Sequence, residues 1–211
     1  ECIDRVVEAS GWREKHRKLP YGKGVGFACS SYLTGAGLPI YWNDMPHSGA
    51  IVKVDRGGGV AILCGATEIG QGSDSVLTYI VAEQLGIDPK DIRVVSADSD
   101  LTPVDLGSYS SRVTLMAGHA AAQAAERIRA LIHEAVAKKL EVASGELVSR
   151  GGRVFVRDDP ERGVSFPEAA VLAETMHGTL ACAGSYTPPK RAGKFKGSGV
   201  GPSPCYSYSA C

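Results

Sequence analysis

Residues 65–78, Gly-Ala-Thr-Glu-Ile-Gly-Gln-Gly-Ser-Asp-Ser-Val-Leu-Thr, constrain the fold more than any other stretch of the chain. The apolar run Val60-Ala61-Ile62-Leu63-Cys64 enters it as a strand, and beyond Gly72 the residues Val76, Leu77, Ile80, Val81 and Leu85 recur at helical spacing. A strand-to-helix turn built on Gly65, Gly70 and Gly72 lets backbone approach a ligand closely, and the N–H groups that open the helix favour anionic oxygens. Gln71, between two glycines, offers an amide donor and a carbonyl acceptor. The spacing is neither Gly-x-Gly-x-x-Gly nor a P-loop, which excludes the common phosphate motifs. By itself the turn is equally readable as a shaped strand-helix connection. Glu68 reads as the carboxylate that closes the turn on backbone N–H groups rather than as a general base.

A second segment, residues 98–120, follows a strand predicted over 92–97 and leads into an alanine-rich helix predicted over 114–141, with Ile128, Leu131, Ile132, Ala135, Val136 and Leu140 as its buried stripe. At the threshold of that helix stand Tyr109, Ser110, Ser111, Arg112 and Val113. Hydroxyls, a guanidinium fork and helix-start N–H groups together suit a diphosphate. The alternative is an ordinary Ser-rich cap with Arg112 on a solvated face. Asp98, Asp100 and Asp105 lack EF-hand spacing and read as a solvated acidic turn.

The 211 residues, 44% of them hydrophobic, can bury a substantial core. Lys+Arg and Asp+Glu are equal at 23 each, so no basic footprint for nucleic acid or an anionic membrane is present. No apolar run has the length of a membrane span, and residues 1–5 carry no signal-peptide pattern. The six cysteines form no Cys-x-x-Cys and no zinc or iron–sulfur spacing, a usage that suits a reducing cytoplasm. Cys29 and Cys64 read as buried thiols. His47, His119 and His177 stand apart from any carboxylate or nucleophile in sequence.

Along the chain we expect an amphipathic helix over 1–18, a strand over 25–32, a Gly/Pro/aromatic loop over 34–45, and a hairpin of 49–55 with 60–64. A short hairpin should turn at Gly151-Gly152. Ser165-Phe166-Pro167-Glu168 should open a helix to about residue 176. A basic loop or arm is expected over 185–204, and an alternating strand begins at Tyr206. Hairpins mixed with helices, without strict βαβ alternation, indicate an α+β fold.

The Gly70-Gln71-Gly72 turn, the Thr102-Pro103 stretch and the run Ser111-Arg112-Val113-Thr114 with Gly118 occur in the order found in the molybdenum-binding subunits of the xanthine oxidase family, which this chain resembles from about residue 22 onward. Residues 36–50, 55–59, 71–75 and 105–112 resemble, more narrowly, the large subunit of the 4-hydroxybenzoyl-CoA reductases. The resemblance implies a mixed sheet packed with helices, the central segment (residues 1–211) of an incomplete molybdopterin-binding domain. In it, Gly70, Gln71 and Gly72 would lie along the pterin, with Gln71 as a catalytic candidate hydrogen-bonding near the metal's oxygen ligands, and Ser110, Ser111, Arg112 and Val113 would contact the diphosphate through hydroxyl, guanidinium or backbone N–H groups. Tyr109 would stand at the edge of the metal site, or pack as a core tyrosine. The implied cofactor is molybdopterin cytosine dinucleotide with molybdenum, which needs no protein ligand to the metal. Iron–sulfur clusters and FAD would reside on partner subunits of a cytoplasmic hetero-oligomer. The implied reaction is reductive dehydroxylation of 4-hydroxybenzoyl-CoA, with Lys190, Arg191, Lys194 and Lys196 as candidates for the CoA phosphates. Hydroxylation of an aldehyde or N-heterocycle, oxidation of carbon monoxide, or a cofactor-free scaffold are the alternatives. The catalytic glutamate of such enzymes would lie outside the chain.

Overall fold

The computed structural model describes residues 1–34, 44–188 and 205–211, with 31–34 and 205–208 described by backbone alone. The central element is a four-stranded sheet in the order β4-β3-β2-β8, formed by β2 (Ser48–Val54), β3 (Val60–Cys64), β4 (Ile92–Ser96) and β8 (Ala181–Tyr186). β2 pairs antiparallel with β3 and β8, while β3 and β4 are parallel and joined through the helix α3 (Ser73–Leu85). A parallel pair needs such a crossover, and here the crossover begins at the glycine-rich turn.

The predicted hairpin and α3 form because their apolar periods match one buried face. Val60, Ile62 and Cys64 alternate inward on β3, and Leu77, Val81 and Leu85 line α3 at 0–1% exposure. Each such side chain contributes about 1.5–3 kcal/mol on burial. The long helix α4 (Val113–Leu140) packs against β2, β8, α3 and the later helix α5 (Phe166–His177). Its second half buries the predicted Ile128, Ile132, Ala135 and Val136. Its first half buries a stripe that the apolar pattern did not single out: Ala117, Ala120, Ala121 and Ala124, all fully inaccessible. Small side chains are needed there, because a Cβ on Gly184 of β8 would come within 2.0 Å of the Ala120 carbonyl oxygen.

A three-stranded sheet, β5 (Leu147–Arg150), β6 (Arg153–Val156) and β7 (Asp159–Ser165), closes the far end. The hairpin at Gly151-Gly152 matches expectation, but β7 and β8 do not appear in the sequence reading, since residues 159–163 are mostly polar and exposed and 181–186 lack apolar alternation. Ser165 caps α5 by accepting the Glu168 N–H, while the Glu168 carboxylate pairs with Lys139.

The expected helix over 1–18 is corrected to two pieces, α1 (Cys2–Ser10) and α2 (Trp12–Lys15), because Gly11 adopts φ 63 and ends the first in a left-handed cap. The strand expected over 25–32 is β1 (Cys29–Thr34), which pairs antiparallel with β9 (Cys205–Ala210) from Cys29↔Ala210 to Thr34↔Cys205. In that two-stranded ribbon Cys29 is exposed, contrary to the expectation of a buried thiol. Cys64 is buried, and its burial pushes the thiol up to about 11. Residues 35–43 of the expected loop, and Lys190, Arg191, Lys194 and Lys196, lie outside the described residues.

Candidate functional site

The turn between β3 and α3 is framed by one carboxylate. Glu68 accepts the N–H groups of Gly70 (2.7 Å), Gly72 (3.0 Å) and Asp74 (3.2 Å), and the Ser73 hydroxyl (3.3 Å). Those backbone hydrogen bonds hold its pKa below the ordinary value of 4.5, so the group stays ionised and closes the turn, as its position before the glycines indicates. Gln71 finishes the frame: its amide nitrogen donates to the Thr67 carbonyl and the Ser73 hydroxyl, both at 2.9 Å, and its carbonyl accepts the Ile69 N–H at 2.6 Å. Gly70 and Gly72 have φ 94 and 79, and no atom lies within 4 Å of where a Cβ on either would stand. The result is a ribbon of backbone turned toward open space and pinned by two side chains, Glu68 and Gln71.

The second segment lies against the first. The Ser108 hydroxyl donates to the Thr67 carbonyl at 2.6 Å, so the glycine-rich turn and the threshold of α4 share one surface. The close approach is built in at Gly65, where a Cβ would fall 2.2 Å from the Pro103 carbonyl oxygen and 3.0 Å from the Asp105 nitrogen. Here glycine is demanded by contact rather than by dihedral angle.

At the start of α4 the structure departs from the reading of an ordinary Ser-rich cap with Arg112 on a solvated face. No side chain caps the helix, whose N-cap is Arg112 itself at φ −95, ψ −21, so the Ser-rich cap is not formed. Nor is Arg112 on a solvated face, being 1% exposed. Its guanidinium turns inward, to the Asp105 carboxylate (2.7 Å), the carbonyls of Gly107 (2.6 Å) and His47 (2.8 Å), and the Ser48 hydroxyl (3.1 Å). Asp105 is therefore corrected as well: far from solvated, its side chain has 0% exposure, and it also accepts the Ser48 hydroxyl and the Gly107 N–H. Asp98 does form the expected local turn, accepting the N–H groups of Asp100 and Leu101.

Before Arg112, Ser110 and Ser111 both take φ 49, a conformation that costs an L-residue about 1–2 kcal/mol. The Arg112 N–H bonds back to the Tyr109 carbonyl at 3.2 Å and closes the turn across the two serines. A turn that runs directly into a helix leaves the first helical N–H groups without intrahelical acceptors, a setting that favours an anion. Val113 begins the helix, whose first turn carries no acidic residue to oppose an anion. Tyr109 is half-buried, with the Arg112 guanidinium 5.5 Å from its ring centroid. The structure thus joins the turn of Gly70, Gln71 and Gly72 to the stretch of Tyr109, Ser110, Ser111, Arg112 and Val113 through Thr67 and Ser108, and adds Ser48 and Asp105 as buried partners of Arg112.

Of the three histidines singled out in the sequence, His47 is buried at the head of β2, His119 stacks on Tyr186 at 4.7 Å, and His177 lies 3.6 Å from Glu134. Among the described residues no group of three or more His, Cys, Asp or Glu side chains is placed to hold a metal ion, and no helix is long and apolar enough to cross a membrane.

A molybdopterin cofactor-binding domain model matches residues 5–211. The xanthine dehydrogenase molybdenum-binding subunit of Escherichia coli O157:H7 is 31% identical over 76% of this chain and 22% of its own length. The 6-hydroxypseudooxynicotine dehydrogenase complex subunit gamma of Paenarthrobacter nicotinovorans is 35% identical over 67% of this chain and 18% of its own. The carbon monoxide dehydrogenase large chain of Afipia carboxidovorans is 33% identical over 70% and 18% respectively. Among solved structures, a Cu,Mo-CO dehydrogenase superposes with a TM-score of 0.76 at 25% identity, covering 99% of this chain and 27% of that one. The chain thus spans about a fifth of the length of the curated relatives it matches. A mixed sheet packed on helices, a framed glycine turn laid beside a helix threshold, and a match over nearly every residue lead to one conclusion: this chain belongs to the molybdopterin cofactor-binding domain family.

Proposed function

We propose that the surface shared by the two segments holds a molybdenum-bearing molybdopterin cytosine dinucleotide, and that the chain is the cofactor-binding segment of a longer oxidoreductase subunit. One observation carries the reading: the Ser108–Thr67 hydrogen bond at 2.6 Å, which makes the glycine turn and the serine turn a single surface. The residues present fit such a group. Open space over Gly70 and Gly72 suits the flat pterin, and the uncapped start of α4, free of acidic side chains in its first turn, suits a diphosphate. When bound, the cofactor supplies the two-electron redox step.

The chain's own groups then bind and orient. Gly70 and Gly72 would hold the pterin against backbone, and Gln71, whose side chain is pinned by Thr67 and Ser73, would fix that backbone in place near the metal's oxygen ligands. Ser110, Ser111 and Val113 offer hydroxyl and N–H donors to the diphosphate, with Arg112 behind them. Tyr109, packed on Arg112, would stand at the rim of the metal site. Iron–sulfur and FAD subunits of the same assembly would deliver electrons. The reaction most in keeping with residues 105–112 is reductive dehydroxylation of 4-hydroxybenzoyl-CoA. Two electrons and two protons are taken up, the ring C–O bond breaks, and water leaves with benzoyl-CoA. A second reading, molybdenum-dependent oxidation of a heterocycle, aldehyde or carbon monoxide, draws on the relatives named above.

Molybdenum and acid-released CMP, measured on the full-length subunit matured in its native host, test the cofactor reading. Near-stoichiometric amounts of both are expected, and a folded, matured subunit lacking both would leave a scaffold. Dithionite-driven turnover of 4-hydroxybenzoyl-CoA by the whole complex, set against oxidation of xanthine, aldehydes and carbon monoxide, decides between the two reactions.

A further inference from the structure

Arg112 is the largest fully buried side chain among the described residues, and four of its five N–H groups already have acceptors inside the protein. The fifth, on Nε, is buried without a partner, and the Tyr109 ring packs 5.5 Å from the guanidinium carbon. A guanidinium engaged in this way has no fork left for a bidentate phosphate contact. What it does hold is specific. Through Asp105 and the Gly107 carbonyl it grips the chain before the serine turn, through its own backbone it ends that turn, and through the His47 carbonyl and Ser48 hydroxyl it anchors both to the head of β2. Asp105 completes the loop by accepting from Ser48 and the Gly107 N–H, and the Leu106 N–H bonds the same His47 carbonyl. Between these two grips lie Ser110 and Ser111, each at φ 49, a pair that needs outside support to persist.

We propose that Arg112 and Asp105, with Ser48, form a buried tie that holds the Ser110–Ser111 turn in its anion-receiving shape, and that they are positioning residues of the cofactor site rather than phosphate ligands. The inference rests on the cofactor reading above and adds to it two residues, Asp105 and Ser48, that touch no ligand. The diphosphate is met by the serine turn and the helix-start N–H groups, and the positive charge of Arg112 is balanced from within by Asp105.

The test uses the full-length subunit in its complex, matured in a cofactor-producing host, as wild type, Arg112→Lys, Asp105→Asn, the double variant and Ser48→Ala. Three quantities are read: molybdenum and CMP content, the rate of cofactor loss well below each variant's unfolding midpoint, and the ³¹P resonance of the bound diphosphate. The tie predicts that Arg112→Lys and Asp105→Asn each speed cofactor loss about tenfold or more, that the double variant is no worse than the worse single, and that the ³¹P signal shifts in all. Ser48→Ala, which unpairs no charge, should speed loss about threefold and shift the signal the same way. Asp105→Asn and Ser48→Ala with wild-type loss rates and an unmoved ³¹P signal, beside a damaged Arg112→Lys, would make Arg112 a direct phosphate ligand and overturn the tie. Multiplying effects in the double variant would overturn it too. A folded wild type empty of molybdenum and CMP removes the cofactor reading itself, and the inference falls with it.

Discussion

The two halves of the candidate site face the same surface but are held in different ways. The glycine turn is framed from within: Glu68 and Gln71 reach no farther than six residues along the chain, and the frame is largely open to solvent. The serine turn is held from a distance, by a guanidinium that reaches 64 and 65 residues back to Ser48 and His47 with no solvent around it. A local, hydrated frame is cheap to make and sensitive to pH. A buried ionic tie costs desolvation, so its worth depends on every partner being present.

The sharpest break of this contrast is to remove one partner of the tie. Asp105→Ala or Arg112→Met leaves a lone charge in a dry site, and we expect a loss of about 3–5 kcal/mol in denaturant unfolding of the folded subunit. The same measurement on the double variant Asp105→Leu/Arg112→Met should show a smaller loss, because no charge is then stranded. Additive losses would mean that the pair is not a unit.

Next in size is the contact between the halves. Gly65→Ala sets a methyl against the Pro103 carbonyl, which backbone must move to accommodate, and about 1–3 kcal/mol of stability should go. Hydrogen exchange should rise on both the 65–72 and the 103–108 stretches. A rise confined to one side would separate them.

The glycine turn should be broken by acid instead. Glu68 has a folded pKa below its ordinary 4.5, held there chiefly by the backbone N–H groups of Asp74 and Gly72, so its stabilising contribution is present above about 4.5 and disappears as pH falls through the lower folded value. Amide exchange at Gly70, Gly72 and Asp74 should accelerate in that window once the intrinsic rate is divided out. Glu68→Gln should abolish the pH-dependent part, and an unchanged profile in that variant would dismiss Glu68 as the cause.

The smallest effect is expected at Ser111. Glycine relieves the positive φ but adds unfolded-state entropy, so Ser111→Gly should shift stability by only about 0.5 kcal/mol, toward the folded state. A clear destabilisation would mean that the hydroxyl itself holds the turn.

The legibility of the molecule follows the same division. Asp98, Glu68 and Ser165 each act on N–H groups a few residues away, and each role is readable from spacing. The β2–β3 hairpin and α3 carry periods that a single buried face explains. The first half of α4 is different, since an alanine run says helix without saying which face is buried, and only the approach of Gly184 selects it. Asp105 offers one local hint, its bond to the Gly107 N–H two residues on, but nothing nearby announces that its other oxygen faces Ser48.

By itself, then, the chain's order of residues determined α3, the span of α4, α5, the β2–β3 and β5–β6 hairpins, the glycine turn with its carboxylate frame and the family, because those depend on period, caps and backbone freedom within a few residues. Only the tertiary structure decided that β8 lies beside β2, that Cys29 is exposed, and that Arg112 faces Asp105 rather than solvent. Those outcomes turn on desolvation and pairing with atoms brought from scores of residues away, and no local pattern encodes which atoms those are.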